Sequence, residues 1–260
     1  MLRYLNLLLL ESYKLWQLRS FRISLLLMLL LPLLWAYAPG ILAVYGVALL
    51  SAYQVPGLAL LSSMEFLLPL LVAVVSAQLF GLEHSYRTLP TVLLRPLPRW
   101  LWLVSKMSVA LVYPLLLLAV LLAVALLAGW PLGYGDFWGG TGVGVGGLAG
   151  QGMLSAAQAR LELMRAYAVA GVSLMPISLL ALCLSVVFMN AASGALATLA
   201  VLIFMQLLVI FPRLEPYLLS AQLSAYAMPS DTLPRSLGLI ALYSLMFAAA
   251  ALLHFDRRDI

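Results

Sequence analysis

Between two long apolar stretches this 260-residue chain carries one charged cassette: Glu83-His84-Ser85-Tyr86-Arg87-Thr88, then Arg95-Pro96-Leu97-Pro98-Arg99, then Lys106. The chain as a whole is 65% hydrophobic and 9% charged, so this density of acid, imidazole and cation marks a polar contact. Its chemistry is ion pairing and docking. Glu83 and Arg87 have the i,i+4 spacing of a helical ion pair. Leu89, Val92, Leu93 and Leu94 add a short apolar face, and Pro96 and Pro98 end any helix. Such a short amphipathic helix fits a groove on a soluble partner; the alternative is a generic basic loop. Trp100 and Trp102, flanked by Arg99 and Lys106, have the composition of an interfacial anchor, as has Trp16 further upstream.

Catalytic chemistry finds no constellation here. The two lysines, Lys14 and Lys106, are followed by Leu15 and Met107, so no phosphate-binding G-x-x-x-x-G-K-[ST] loop is present. The histidines, His84 and His254, form no H-E-x-x-H pair, and no G-x-S-x-G elbow occurs. Cys183 is the single cysteine, which excludes a disulfide framework and a cysteine metal site. A net charge of +5 raises nucleic acid as a partner. The basic residues lie at the borders of apolar runs, however, where they report topology. Inside those runs the polar side chains are few. Glu65, Gln78 and Gln206 are candidate contacts for a transported molecule. Glu65 reads equally as an interfacial acid at the outer end of its run, and the two glutamines read as interhelical hydrogen-bond partners.

Helices must position these groups. A mean hydropathy of +1.10 excludes an ordinary soluble domain. The apolar runs are continuous rather than alternating and reach the ~18 residues a membrane helix needs. The chain therefore reads as an all-α, polytopic membrane protein with six transmembrane helices, over Ile23–Val47, Leu60–Leu82, Leu101–Gly129, Tyr167–Met189, Gly194–Phe211 and Ser236–Phe255. Ile23–Trp35 followed by Ala36-Tyr37-Ala38 imitates a cleaved signal, but Glu11 upstream and Pro39 just after the cut favour an uncleaved first span. With a cytoplasmic amino terminus, ten of the fourteen Lys and Arg residues are inside and four outside, which puts both termini and the charged segment 83–100 in the cytoplasm.

Residues 1–22 read as an amphipathic helix lying in the inner interface, or as an extension of the first span. Arg3, Asn6, Glu11, Lys14, Gln17 and Arg22 share one arc, with Leu2, Leu5, Leu9, Tyr13 and Trp16 mostly opposite. The outer loop 130–166 is glycine-rich; Gly142, Gly144 and Gly147 match G-x-G-x-x-G, but without a preceding strand the match carries no dinucleotide site, and a flexible loop is expected. Ser155–Arg165 reads as a short outer helix leading into the fourth span. Segment 212–235 is too interrupted to span and reads as short re-entrant helices or an amphipathic loop. Pro32, Pro69, Pro114 and Pro176 fall inside spans and predict kinks.

The charged segment resembles the permease subunits of type-2 ABC exporters. That family places an acid at the close of the second span, then Thr, a leucine stretch, Pro, Arg and Lys, which here are Glu83, Thr88, Leu93-Leu94, Pro96, Arg99 and Lys106. Where the family often has Gly before the Thr, this chain has Arg87; Tyr86-Arg87-Thr88 looks like the peptide-immunity branch. The ending Phe255-Asp256-Arg257-Arg258-Asp259-Ile260 and the residues Ser185 and Asn190 are similar too. The resemblance implies a single six-span permease domain over 1–260 with an amino-terminal elbow helix, a cytoplasmic coupling helix, and outer helices before the sixth span. It implies that Glu83, His84, Tyr86, Arg87, Thr88, Leu93, Arg95, Pro96 and Arg99 face an ATPase. It implies two separate ATPase subunits carrying ATP and Mg, a second permease, identical or homologous, and a bacterial inner membrane. The expected function is export of a hydrophobic or amphiphilic substrate, a peptide, drug or lipid-like molecule. A non-transporting membrane anchor in an ATPase-driven assembly is the alternative.

Overall fold

The computed structural model describes residues 2–37, 49–85, 98–144, 146–150, 152–229 and 232–257. Helix α1 (Leu2–Gln17) is separated at Leu18 from α2 (Arg19–Tyr37). The expected first span therefore starts earlier than Ile23, and its last residues, 38–47, lie outside the described residues.

The expected second span, Leu60–Leu82, is not one helix. Helix α3 (Gln54–Met64) and helix α4 (Leu67–Ser85) meet at Glu65-Phe66. Pro69 is the physical reason: it has no N–H for the Glu65 carbonyl, and its ring clashes with a continuing helix. Leu70 N restarts the ladder by donating to Phe66 O at 3.0 Å, and Pro69 sits in the first turn of α4, where its missing donor is harmless. The expected kink is thus a complete break, and Leu60–Met64 belongs to a separate, largely buried helix.

Helix α5 (Arg99–Gly129) agrees with the third span. Helix α6 (Ala156–Phe188) fuses the expected outer helix and fourth span into one element. Ser155 caps it with a reciprocal box, its Oγ accepting from Gln158 N and Gln158 Oε1 accepting from Ser155 N, both at 3.3 Å. At its other end Met189 takes φ 54°, and Asn190 Oδ1 accepts from Ala192 N and Ser193 N at 2.8 and 3.1 Å to start α7 (Ala191–Leu208). Segment 212–235 contributes two 3₁₀ turns, Glu215–Tyr217 and Ala225–Ala227, around α8 (Leu219–Gln222), before α9 (Leu233–Asp256). Among the described residues six helices, α2, α4, α5, α6, α7 and α9, are long and apolar enough to cross a membrane.

The glycine-rich loop is a correction. Rather than a flexible tether it is folded onto α3. Strands β1 (Phe137–Trp138) and β2 (Met153–Leu154) pair antiparallel, and Gln54 Nε2 donates to Gly140 O at 3.3 Å. Gly57 lets Thr141 O approach so closely that a Cβ there would lie 1.6 Å from it. Glycine at this density serves close backbone approach as well as freedom. Helix α6 forms the centre of the bundle, buried along most of its length and packed by α4, α5, α7 and α9. Small residues allow the tightest contacts, Gly81 against Ala191 and Gly194 against Ser185.

Candidate functional site

Glu11 stands four residues after Leu7 and four before Leu15, and all three are buried on the inner face of α1. That face meets Lys106 on α5 and Glu83 near the end of α4. Lys106 Nζ donates to Glu11 Oε2 at 2.7 Å, to Glu83 Oε1 at 2.9 Å and to Leu79 O at 2.7 Å. An ammonium has three donors, and all three are used. Lys14 Nζ closes the ring, 2.8 Å from Glu11 Oε1 and 2.7 Å from Glu83 Oε1. Two carboxylates and two ammoniums sum to no net charge. Lys106 is fully buried, the Glu11 and Glu83 side chains are 3% and 13% exposed, and Lys14 is 46% exposed. Only such mutual pairing makes these charges tolerable, because an isolated buried ion costs several kcal/mol.

Aromatic rings seal the network. The Lys106 ammonium lies 4.8 Å from the Trp102 ring centroid. Trp102 stacks on Phe255 at 5.5 Å, and Phe80 packs edge-on to both. The end of α9 is thereby fastened beside the charged ring.

Burial by itself would lower the Lys14 pKa, but the hydrogen bonds and charges of Glu11 and Glu83 outweigh it and hold the ammonium above the ordinary 10.5. A raised folded-state pKa contributes stability that is complete below the unfolded value and is lost as pH rises through the folded one. The thermal stability advantage of the native protein over Lys14→Met, up to about 1 kcal/mol for so exposed a partner, is therefore expected to stay constant from pH 8 to 10 and to shrink above. Unfolding midpoints of both proteins across that range measure it.

The structure sorts the residues expected from sequence. His84 is half-buried beside Glu83 at the end of α4, and Arg99 is the first residue of α5. Tyr86, Arg87, Thr88, Leu93, Arg95 and Pro96 lie outside the described residues, and so does the expected Glu83–Arg87 pair. Trp16 and Trp100 are 54% and 58% exposed. Trp102 and Lys106 are corrections: at 2% and 0% exposure they are inside the bundle and cannot reach headgroups. Gln78 takes the interhelical reading of the two weighed for it. Its Nε2 donates to Ser20 Oγ at 2.8 Å, tying α4 to α2, and it lines a polar crevice with Glu11, Lys14 and Arg19. Glu65 and Gln206, by contrast, share one pocket of about 170 Å³ with Phe66, Ser220 and Tyr226.

Glu11 and Lys14 are the members of the network that sequence reasoning passed over. The signal was present: Glu11 shares the face of Leu7 and Leu15, and an acid in register with two buried leucines needs a buried cation.

Six membrane-length helices, two of which share a buried charge cluster with α1, define a multi-pass membrane protein. The chain belongs to the ABC-2 transporter family: the family model described as ABC-2 family transporter protein matches residues 7–206. It is the membrane permease component of an ABC transporter, and the family carries no nucleotide-hydrolysing site of its own, which implies ATPase partners. The match takes in the described charge network and both Glu65 and Gln206; the 3₁₀ turns Glu215–Tyr217 and Ala225–Ala227, α8 and α9 lie beyond it. A search of curated proteins finds no match.

Proposed function

We propose that this chain is one of two permeases, identical or homologous, seated on two ATPase subunits that bind ATP and Mg, and that the complex exports a hydrophobic or amphiphilic substrate across a bacterial inner membrane. Both termini are cytoplasmic, and residues 83–100 form the segment that meets the ATPase, with Arg95 and Arg99 against the ATPase or lipid phosphates. The observation that carries this reading is the Lys106–Glu83 contact of 2.9 Å. Glu83 lies where the chain enters that segment and Lys106 just after it leaves, so one ion pair clamps both ends. Glu11 and Lys14 extend the clamp to α1, whose opposite side exposes Leu5, Leu9, Tyr13 and Trp16. That exposed apolar row supports α1 as an elbow lying in the inner interface. A push on the segment then moves α1, α4 and α5 as one unit.

The pocket shared by Glu65 and Gln206 supports transport over the anchor reading, because a purely mechanical anchor has no use for a largely apolar recess bearing one carboxylate between α4 and α7. The outer turns around α8 roof this recess. Charge reversal, Glu83→Lys, tests the coupling in complexes that co-purify intact. Transport and substrate-stimulated ATP hydrolysis are expected to fall roughly tenfold or more, with nucleotide affinity of the ATPase subunits unchanged. Unaltered transport and stimulation in an intact complex would refute the coupling role.

A further inference from the structure

Glu65 sits at the break between α3 and α4 with its side chain exposed. Among the described residues its carboxylate has no hydrogen-bond or ion-pair partner, unlike the carboxylates of Glu11 and Glu83. It faces the pocket of about 170 Å³, in which it is the single charged group among the described lining residues. The rings of Phe66 and Tyr226 line the same pocket, and α7 supplies an apolar wall through Leu199, Leu202 and Ile203. Burial, and after it the negative charge of Glu65, raise the Tyr226 pKa, so its phenol stays neutral. The Oγ of Ser220 is buried there with no hydrogen-bond partner among the described residues.

Through Gln206, Ser220 and Ser224 the pocket continues into a wider crevice of about 670 Å³ between α7, α8 and α9. The cation of that lobe, Arg235, lies 5.2 Å from the Tyr217 ring centroid and is no member of the Glu65 pocket. The crevice also holds Glu215, and the Oε1 of buried Gln222 has no hydrogen-bond partner among the described residues.

One carboxylate, two aromatic rings and an apolar wall are the recognition chemistry of a cation carried on hydrocarbon. The carboxylate and ring faces attract the charge, and the wall takes the chain. A neutral amphiphile forgoes the charge interaction, and an anionic one is repelled. We propose that the groove binds cationic amphiphiles, with the charged head between Glu65 and the rings of Phe66 and Tyr226 and the hydrocarbon along α7 toward the wider crevice. This deepens the transport reading and rests on it for the groove's use, while binding itself is measurable without an ATPase.

The test uses the full chain in phosphatidylcholine nanodiscs with radiolabelled dodecyltrimethylammonium, and empty nanodiscs as background. Saturable binding is expected, weakened about tenfold by Glu65→Gln and changed less than about twofold by Glu215→Gln. Dodecanol, of the same chain length and uncharged, is expected to compete poorly. The proposal is overturned if wild-type binding does not exceed that of empty nanodiscs, if Glu65→Gln binds like wild type, or if Glu215→Gln weakens binding as much, which would make the attraction diffuse surface charge. In the assembled complex, Glu65-dependent binding without stimulation of ATP hydrolysis sustains the cation site and refutes transport. Stimulation by dodecanol with no binding of the cation does the reverse.

Discussion

Lys106→Met is expected to lower the stability of the purified protein by about 3–5 kcal/mol, a fall on the order of 10 °C in the unfolding midpoint. Methionine preserves most of the stem and removes the ammonium. Glu11 and Glu83 then face each other with their side chains 3% and 13% exposed, and the Leu79 carbonyl loses the donor now 2.7 Å away. Lys14 still pairs with both carboxylates, but from a position nearly half in solvent. Two further variants separate charge from packing. Adding Glu11→Gln to Lys106→Met removes one of the two facing negative charges and is expected to recover part of the loss. Lys106→Arg keeps the charge but brings a planar fork where three acceptors surround a point, and is expected to remain well below wild type. Thermal unfolding in one detergent, followed by intrinsic fluorescence, gives all three values. A methionine variant within 1 kcal/mol of wild type would mean that the network is not the stabilising feature its geometry implies.

Gly81→Val is expected to be comparably damaging, by about 3 kcal/mol. A Cβ at Gly81 would lie 2.2 Å from the nitrogen and 2.5 Å from the Cα of Ala191. These are backbone atoms of the first turn of α7, so no rotamer change can make room. Helices α4 and α7 must part, and with them the pocket that both line. On α7 itself, a Cβ at Gly194 would lie 2.7 Å from the Ser185 Cα of α6, so α7 meets both α4 and α6 through small residues. Gly238 provides the control. Among the described residues nothing lies within 4 Å of a Cβ there, and Gly238→Ala in α9 is expected to be neutral or stabilising by up to about 1 kcal/mol through helix propensity. Equal behaviour of Gly81→Val and Gly238→Ala would show that the close approach is relaxed in the membrane.

Much of the architecture was legible in residue order because hydropathy is a local property. Six apolar runs gave six membrane-length helices, and the starts of α5 and α9 fell within a few residues of expectation. The family's acid and lysine were recognisable at Glu83 and Lys106 before any contact was known. The break at Glu65 was legible in principle, since Pro69 denies that carbonyl its partner, yet hydropathy runs straight through it. Glycine content foretold mobility for a loop that α3 in fact holds by close backbone contact.

What residue order determined was which segments enter the bilayer and where charge accumulates, because both follow from the side chains of neighbouring positions. Which way each helix turns its charged face was decided only in three dimensions. Trp102 and Lys106 share one face of α5, and that face is interfacial or interior according to the rotation of the helix in the bundle. Glu11 and Lys106 are 95 positions apart, and their pairing depends on α1 lying against α5 at one depth and one angle. Glu65 and Gln206 come together, and Gln78 is excluded, by the same rigid-body packing. A buried charge must find its opposite, but only the packed bundle specifies which one.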